Sequence, residues 1–434
     1  MKEPRPQHRV VVVGAGFAGY AAARELARLT NLESTEVTVI NPTDYFLYLP
    51  LMPQVTGGLL EPRHVCVPLA RKLRGSVLVL GTVTGIDPQR KTVHWSTPEG
   101  SPGQVSYDEL ILTAGSVNKL LPVPGVASYA HGFRSLAESI YLRDHIVRQL
   151  ELAAVAGSEA ERRERCTFVV VGGGYTGTEV AAQGHLLTSR LARALPGLAG
   201  QTARWMLLDI APRLLPELDE HLSKTAERVL RRRGVEVRTG QSVAEARDDC
   251  VELSTGEKIA ARSLIWCVGV RPDPLIGSLG LPVNRGRIVV DEFMTVPGYH
   301  GIYACGDCAA VPDHTRPGQA CGMTAQHALR QGRQVARNIA ASLGNGTARP
   351  YRHRDLGFLV DLGGLAAAAN PLSIPLSGPV ANAVTRGYHL YSLPANRARV
   401  LADWTVNAVR PPQTTSLGLV ESEAVPLDVS QPRS

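Results

Sequence analysis

A glycine pattern that occurs twice restricts the fold of this 434-residue chain more than any other feature. The first copy, Gly14-Ala-Gly16-Phe-Ala-Gly19, follows the short β-branched run of residues 9–13 and precedes a helical pattern. The second copy, Gly172-Gly-Gly174-Tyr-Thr-Gly177, stands between a similar run at residues 167–171 and another helical pattern. A chance match in spacing and context would have to happen twice, so we predict two strand–turn–helix units of the same kind.

Each unit has the order of a dinucleotide-binding fold. The glycines permit a tight turn and leave the N-terminal amides of the following helix open to a pyrophosphate. After each helix a second strand is predicted, at residues 36–40 and 205–208, and the next residue is Asn41 or Asp209. A carboxylate there accepts hydrogen bonds from ribose hydroxyls and repels a 2′-phosphate, so Asp209 favours NADH over NADPH. Asn41 can also bond a ribose, more weakly and without a charge.

Further strand signals complete an α/β pattern. Strands are expected at residues 77–86 and 91–95, and a helix from about 324 to 343. Three buried strand signals end in small residues, at Ala114-Gly115, Gly269 and Gly306-Asp307. We therefore predict the α/β class with two Rossmann-like domains, the second inserted into the first, plus a small C-terminal domain. The expected domains are 1–124 with 276–345, 125–275, and 346–434, and the last 25 residues look like a loose tail.

Composition and charge exclude several classes of protein. With 44% hydrophobic and 20% charged residues the chain is an ordinary globular protein. It has no run of about 20 apolar residues that could cross a bilayer. A net charge of +7 suits nucleotides or an anionic membrane surface, whereas 5% aromatic residues argue against a nucleic-acid partner. Seven cysteines, an odd number, and no apolar signal segment in residues 1–9 predict a reduced, cytoplasmic protein.

Three further segments carry a resemblance to a known family. They are Pro50-Leu-Met-Pro-Gln-Val-Thr-Gly57, Gly177-Thr-Glu-Val-Ala181 and Ala325-Gln-His-Ala-Leu-Arg-Gln331. Together with the strand that ends in Gly306-Asp307, they resemble the FAD-dependent pyridine nucleotide oxidoreductases, and within these the type II NADH:quinone oxidoreductases. The resemblance covers about residues 8–405. The last segment is similar to the Ala-Gln-x-Ala-x-x-Gln element that lines the quinone pocket in that family.

The resemblance implies a cofactor, a donor and an acceptor. The first unit would bind FAD, with Asp307 on its ribityl chain, and the second would bind NADH as co-substrate. Glu179 would lie near the nicotinamide and the isoalloxazine as the catalytic residue that helps to move protons, while Gln326 and Gln331 would meet the quinone carbonyls. The residues expected to contact FAD are Gly14, Gly16, Gly19, Asn41, Val83, Ala114, Gly115, Gly306, Asp307 and Ala325. Those expected to contact NADH are Gly172, Gly174, Gly177, Glu179, Asp209 and Gly269.

Cysteine positions and the C-terminal sequence limit these implications. Residues 45–54 lack the cysteine pair of a flavin–disulfide relay, so that chemistry is excluded. Cys305 and Cys308 have a metal-site spacing, but the Gly-Asp between them already serves the flavin, so no metal is expected. After Trp404, Arg410-Pro-Pro412 ends any helix and no amphipathic anchor follows. Peripheral attachment to the cytoplasmic face of a membrane therefore stays open.

Two alternative functions also stay open. One is an NAD(P)H-dependent flavoprotein reductase whose acceptor is a ferredoxin or a biosynthetic intermediate. The other is a redox-signalling flavoprotein similar to apoptosis-inducing factor, which would turn over slowly with every acceptor. A homodimer is compatible with each of these functions.

Overall fold

The computed structural model describes residues 8–30, 34–198, 200–353 and 356–429. Residues 1–7 of the segment without a signal pattern, and residues 430–434 of the predicted tail, lie outside the described residues. Within the described ranges, none of the helices has both the length and the apolar composition needed to span a bilayer.

Residues 8–118 build most of a parallel sheet and a separate hairpin sheet. The elements of this part are β1 His8–Val13, α1 Phe17–Leu29, β2 Thr35–Asn41, β3 Tyr45–Leu47, a 3-10 turn Leu49–Leu51, α2 Met52–Thr56, a 3-10 turn Pro62–Val65, β4 Cys66–Pro68, α3 Leu69–Lys72, β5 Ser76–Leu80, β6 Thr82–Asp87, β7 Thr92–Ser96, β8 Pro102–Ser106, β9 Glu109–Leu112 and β10 Ser116–Asn118. Strands β9, β1, β2 and β5 are neighbours in this order, and all pair in parallel. Strand β1 is a run of valines because both faces of a parallel sheet are covered.

The predicted strand at residues 77–86 is two strands that belong to different sheets. β5 ends the parallel sheet, whereas β6 starts the antiparallel sheet β6-β7-β8. The chain changes direction at Gly81, where an added Cβ would lie 2.8 Å from the Ser96 carbonyl oxygen and 2.8 Å from the Trp95 ring. Only a glycine allows this close approach, and the sequence signal merged both strands because both contain β-branched residues at close spacing.

Residues 126–272 build a second parallel sheet with the same plan. Its elements are α4 Val126–Tyr129, β11 Ala130–His131, α5 Leu136–Ala154, α6 Glu159–Arg165, β12 Thr167–Val171, α7 Tyr175–Ala194, a 3-10 turn Pro196–Leu198, β13 Arg204–Asp209, α8 Glu220–Arg232, β14 Val235–Thr239, β15 Val243–Ala246, β16 Cys250–Leu253, β17 Lys258–Ala260, β18 Ser263–Trp266 and β19 Val270–Pro272. The strand order is β11-β18-β12-β13-β14, and the hairpin sheet β15-β16-β17 stands apart from it. β10 and β19 pair antiparallel. The two segments in which the chain passes between the sheets therefore lie side by side.

The chain then returns to the first sheet. This part contains α9 Leu275–Ser278, β20 Val283–Asn284, β21 Arg287–Val289, β22 Ile302–Ala304, a 3-10 turn Gly306–Cys308, β23 Ala309–Ala310 and α10 Ala325–Ser342. Strand β22 pairs in parallel with β9 and completes the order β22-β9-β1-β2-β5. Helix α10 packs on α1 so closely that a Cβ at Gly332 would collide with the backbone of Ala18.

The C-terminal part bridges the two halves. It contains β24 Leu359–Asp361, β25 Ala367–Ala369, a 3-10 turn Pro371–Ser373, β26 Leu376–Ser377, α11 Gly378–Ser392, α12 Arg397–Val409 and a 3-10 turn Ser422–Ala424. Val360 and Ala368 pack into the core around the second sheet, whereas Val400 and Trp404 pack into the core of the first. The sheet β24-β25-β26 and helix α11 therefore lie over the junction of both nucleotide units.

The predicted loose tail is wrong for the described part of it. The backbone amides of Leu417 and Gly418 donate to the buried Asp144 carboxylate of α5, at 3.2 and 2.8 Å. Leu427 is only 2% exposed, in the core between the second sheet and its hairpin sheet. The proline and serine content predicted disorder here. The prediction failed because the contacts that order the segment come from residues far away in sequence.

The predicted fold class, α/β with two Rossmann-like domains plus a small C-terminal domain, is confirmed. The boundaries between domains stay a proposal. Two observations favour them: the paired crossings at β10 and β19, and the return of β22 to the first sheet.

Candidate functional site

One continuous cavity of about 1690 Å³ runs between the two sheets. It is lined by the glycine turns at the carboxyl ends of β1 and β12, where ligands of open α/β sheets bind. Pockets for one drug-sized ligand are about 300–1,000 Å³, so this cavity has room for more than one.

The two glycine turns have the same geometry. The Gly14 amide donates to the Ile40 carbonyl at 2.8 Å, and the Gly172 amide donates to the Leu208 carbonyl at 2.8 Å. Gly14 and Gly172 have φ values of 86° and 106°, which residues with a Cβ rarely adopt. Neither α1 nor α7 has a side-chain cap, so the first amides of both helices remain available to phosphate oxygens.

Asn41 and Asp209 hold the glycine turns in place. The Asn41 Oδ1 atom accepts from the Ala15 amide at 2.7 Å, and its Nδ2 donates to the Thr43 carbonyl at 2.7 Å. The Asp209 carboxylate accepts from the amide of Gly173, and also from that of Ala211 at 2.6 Å. Both residues line the cavity, so the predicted contact with a ribose is compatible with this second role.

Asp307 stands in an ion pair at the wall of the cavity. Its Oδ2 atom accepts from the Ser116 hydroxyl at 2.6 Å and from the Arg134 guanidinium at 3.0 Å. Among the described residues, Oδ1 has no hydrogen-bond partner, so one carboxylate oxygen can accept from a polyol. The first glycine turn and this oxygen line the same cavity and fit an elongated dinucleotide such as FAD in the first unit.

Arg134 and Glu138 are site residues that the sequence analysis missed. Glu138 accepts from the Asn118 side chain at 2.6 Å and from the amides of Arg134 and Ser135 at 2.7 and 2.5 Å. It thereby fixes the turn that presents Arg134 to Asp307. The signal was present, because Ser135-x-x-Glu138 is a capping box before an apolar helix.

The other predicted nucleotide residues divide into two groups. Those that line the cavity are Gly14, Gly16, Val83, Ala114, Gly115, Gly306, Ala325, Gly172, Gly174, Glu179 and Gly269. Gly19 and Gly177 instead face their own turns, since an added Cβ would collide with the carbonyl oxygen of Gly14 or Gly172. The third glycine of each pattern thus allows the turn and helix to pack together.

The two glutamines assigned to a quinone are not brought together. Gln326 lines the cavity and donates from Nε2 to the Gly357 carbonyl at 2.7 Å. Gln331 is 1% exposed, does not line the cavity, and accepts from the Gly306 amide at 2.8 Å. Residues five apart on a helix point about 140° from each other, so helical geometry already argued against a shared contact. Gln331 therefore lies outside the cavity, and the predicted contact of Gln331 with the quinone is not supported.

Glu179 forms a deeply buried pair with Asp361. The Glu179 Oε1 atom accepts from the Asp361 amide at 2.8 Å, and burial raises the pKa of both carboxyl groups. The Asp361 carboxylate accepts from Gln54 Nε2 at 2.7 Å, from Gln183 Nε2 at 3.2 Å and from the Gly363 amide at 2.7 Å. Because Asp361 has more hydrogen-bond donors, its charged form is better stabilised, whereas burial raises the pKa of Glu179 well above its ordinary value.

The far end of the cavity is largely apolar. We call this the apolar wall, formed by Leu49, Pro50, Phe358, Tyr388 and Tyr391. His389 lies beside it, and its Nδ1 is 3.2 Å from the Tyr48 hydroxyl. Burial lowers the pKa of His389 to about 4, so the imidazole is neutral. An uncharged, flat ligand with hydrogen-bond acceptors suits this end.

Comparison with known proteins agrees with this geometry. The pyridine nucleotide-disulphide oxidoreductase family matches residues 8–332. The type II NADH:quinone oxidoreductase Ndh of Mycobacterium tuberculosis is 30% identical over 422 residues, which cover 93% of this chain and 89% of that protein. Demethylphylloquinone reductase NdbB of Synechocystis is 28% identical over 425 residues, 94% and 99% of the two chains. The structure of NDH2 from Plasmodium falciparum in complex with NADH superimposes with a TM-score of 0.88 at 17% identity, covering 94% of this chain and 100% of that one.

Proposed function

Because this chain belongs to the pyridine nucleotide-disulphide oxidoreductase family, we propose that it is an FAD-dependent NADH dehydrogenase that reduces a quinone without pumping protons. One observation carries the proposal: a single cavity joins the second glycine turn, the first glycine turn and the apolar wall beside Gln326. The relatives named as NADH:quinone and demethylphylloquinone reductases cover nearly the whole chain, which supports a quinone as the acceptor.

The side chains of the cavity have separate tasks in this reaction. When bound, FAD would supply the two-electron redox chemistry that links a hydride donor such as NADH to a quinone. Asp307, held by Arg134, would accept hydrogen bonds from the ribityl hydroxyls of FAD. The backbone amides of Gly16 and Phe17 would donate to the FAD pyrophosphate. Glu179 would hold a proton beside the nicotinamide. Gln326 would offer a neutral amide to a quinone carbonyl.

We also propose that the C-terminal part meets an anionic membrane surface, where quinones dissolve. Apolar side chains are exposed on the loops around β25 and β26 and on α11, namely Leu365, Leu372, Ile374, Val380 and Tyr391. Arg397 and Arg399 follow at the exposed start of α12. Apolar insertion and basic side chains together bind anionic lipids. A homodimer stays a prediction of the sequence.

A steady-state assay of the purified yellow protein tests the function. NADH should reduce short-chain ubiquinone and menaquinone analogues rapidly, and faster in vesicles that contain anionic lipid than in neutral ones. Activity with ferredoxin and none with quinones would contradict the proposal and would favour the alternative function of a ferredoxin reductase. Slow turnover with every acceptor, together with a long-lived complex of reduced flavin and NAD, would favour the signalling flavoprotein.

Alanine substitutions of Gln326 and Gln331 should impair different steps. We expect Gln326→Ala to lower kcat/KM for the quinone about twofold to tenfold, because one neutral hydrogen bond contributes about 0.5–1.5 kcal/mol. Reduction of the flavin by NADH in a single turnover should not change. Gln331→Ala should instead weaken FAD retention, since the Gly306 amide loses its buried acceptor. If Gln331→Ala impairs only the quinone step, its assignment to the Gly306 turn is wrong.

Glu179→Gln should change the pH dependence of stability and of the donor step. The folded-state pKa of Glu179 is raised by burial, so folding favours the protonated form and stability falls as pH rises through that pKa. Glutamine stays neutral, and the Tm of the variant should therefore exceed that of the wild type by about 1–3 °C at alkaline pH and not at acidic pH. In stopped-flow reduction by NADH, the wild-type rate of flavin reduction should change at alkaline pH as Glu179 ionises. The variant should not show this change. Identical pH profiles for both proteins would remove Glu179 from proton transfer.

A further inference from the structure

We propose that the C-terminal segment of residues 413–429 forms one wall of the pocket for the adenosine half of NADH. This inference rests on the proposed function in so far as it takes NADH as the donor. The segment crosses from the end of the C-terminal part over helix α5 to the second nucleotide unit, and its last described residue, Val429, lines the cavity.

Two contacts on α5 fix the path of the segment. The Arg143 guanidinium donates to the Gln413 carbonyl at 3.0 Å. The Asp144 carboxylate, which is buried, accepts from the successive amides of Leu417 and Gly418. A buried carboxylate that receives two backbone amides is a charge-assisted anchor, and both donors here come from the C-terminal segment.

Leu427 provides the second anchor, on the other side of the segment. It packs in a core cluster that includes Val243, and Val123 and Val268 pack against the same cluster. Val123, Val243 and Val268 also line the cavity. Leu427 therefore belongs to the same apolar cluster as residues that line the ligand space.

Val429 lies two residues beyond this anchor, at the edge of the cavity. Its carbonyl oxygen is 3.5 Å from the Arg271 guanidinium of β19. The adenosine ribose of NADH belongs at Asp209, at the end of β13. The adenine then extends toward Gln241 and Ser242, which follow the neighbouring strand β14 and line the cavity.

An adenine ring has two flat faces that favour apolar contact. Val243 and Val268 can cover one side, and Val429 with the backbone around it would close another. The nicotinamide half would lie toward Glu179, whose hydrogen-bond partner Asp361 belongs to β24 and not to the segment. Loss of the segment should therefore weaken every ligand that contains the adenosine half and leave a donor without adenosine unaffected.

The test compares two leucine substitutions in the full-length holoenzyme. Leu427→Ser removes the buried anchor, and the matched control Leu419→Ser changes a leucine of the same segment that is 73% exposed. Val429→Ser is a further variant that keeps both anchors. The Kd of ADP-ribose is measured by calorimetry, and kcat/KM is measured with NADH and with reduced nicotinamide mononucleotide, which lacks the adenosine half. FAD content and Tm are measured for each protein.

We expect Leu427→Ser to raise the Kd of ADP-ribose about fivefold to twentyfold, as loss of an apolar wall implies, and Val429→Ser to raise it less. The Leu419→Ser protein should bind like the wild type, and reduced nicotinamide mononucleotide should serve all variants equally. An unchanged Kd in Leu427→Ser and Val429→Ser overturns the inference, and so does an equal loss with the mononucleotide, which marks a general structural defect. If Leu427→Ser fails to fold, Val429→Ser decides alone. A wild type that binds no ADP-ribose contradicts the proposed donor itself.

Discussion

Gly177→Ala protein should be yellow yet reduced far more slowly by NADH, whereas Gly19→Ala protein should be purified without FAD. In both cases the new Cβ would collide with the carbonyl oxygen of the first glycine of its own turn, at Gly172 or Gly14. The turn must open, and the helix amides then leave the position in which they bind a pyrophosphate. We expect kcat/KM for NADH to fall at least about 100-fold in Gly177→Ala, which corresponds to about 2.7 kcal/mol.

A glycine elsewhere supplies the control for this pair. Gly387 lies within helix α11, and an added Cβ there meets no atom within 4 Å. Gly387→Ala should retain FAD and normal reduction by NADH. Flavin content is read from the absorbance spectrum and donor activity from single-turnover reduction. Should Gly177→Ala lose FAD and Gly19→Ala keep it, the assignment of the two units to the two nucleotides is reversed.

Asp209→Asn should convert the protein from an NADH-selective enzyme into one that accepts both donors. The wild-type carboxylate repels a 2′-phosphate, and such a like-charge contact costs on the order of several kcal/mol, so we expect at least about a 100-fold preference for NADH. Asparagine removes the charge but keeps an oxygen that can accept from the Gly173 amide. The first unit shows that this works, because Asn41 accepts from Ala15 at the matching place.

The comparison of Asp209→Asn with Asp209→Ala separates charge from architecture. In Asp209→Asn, kcat/KM for NADPH should rise about tenfold or more while that for NADH falls a few-fold. Asp209→Ala also deletes the acceptor for two backbone amides and should lose efficiency with both donors. Equal use of NADH and NADPH by the wild type would show that Asp209 does not face the adenosine ribose.

Local patterns were sufficient for the features that depend on neighbouring residues. The strand, the glycine turn, the helix and the acidic or amide residue after the next strand lie within one short segment in each unit, and their geometry follows from backbone sterics and strand order. For this reason the α/β class and the places of Asn41 and Asp209 could be predicted. The split of the strand at Gly81 could not, because the ring and carbonyl that it avoids belong to Trp95 and Ser96 on another strand.

Residues far apart in sequence decided the rest of the site. Arg134 meets Asp307 across 173 residues, Glu179 meets the Asp361 amide across 182, and Asp144 holds Gly418 across 274. No periodicity along the chain records such partners, since each contact exists only after both sheets have formed and packed. The sequence by itself therefore determined that two nucleotide units exist and where their turns lie. Tertiary packing alone decided which carboxyl groups are buried, which glutamine lines the cavity, and that the C-terminal segment is anchored on α5, because burial and partners are properties of the folded chain.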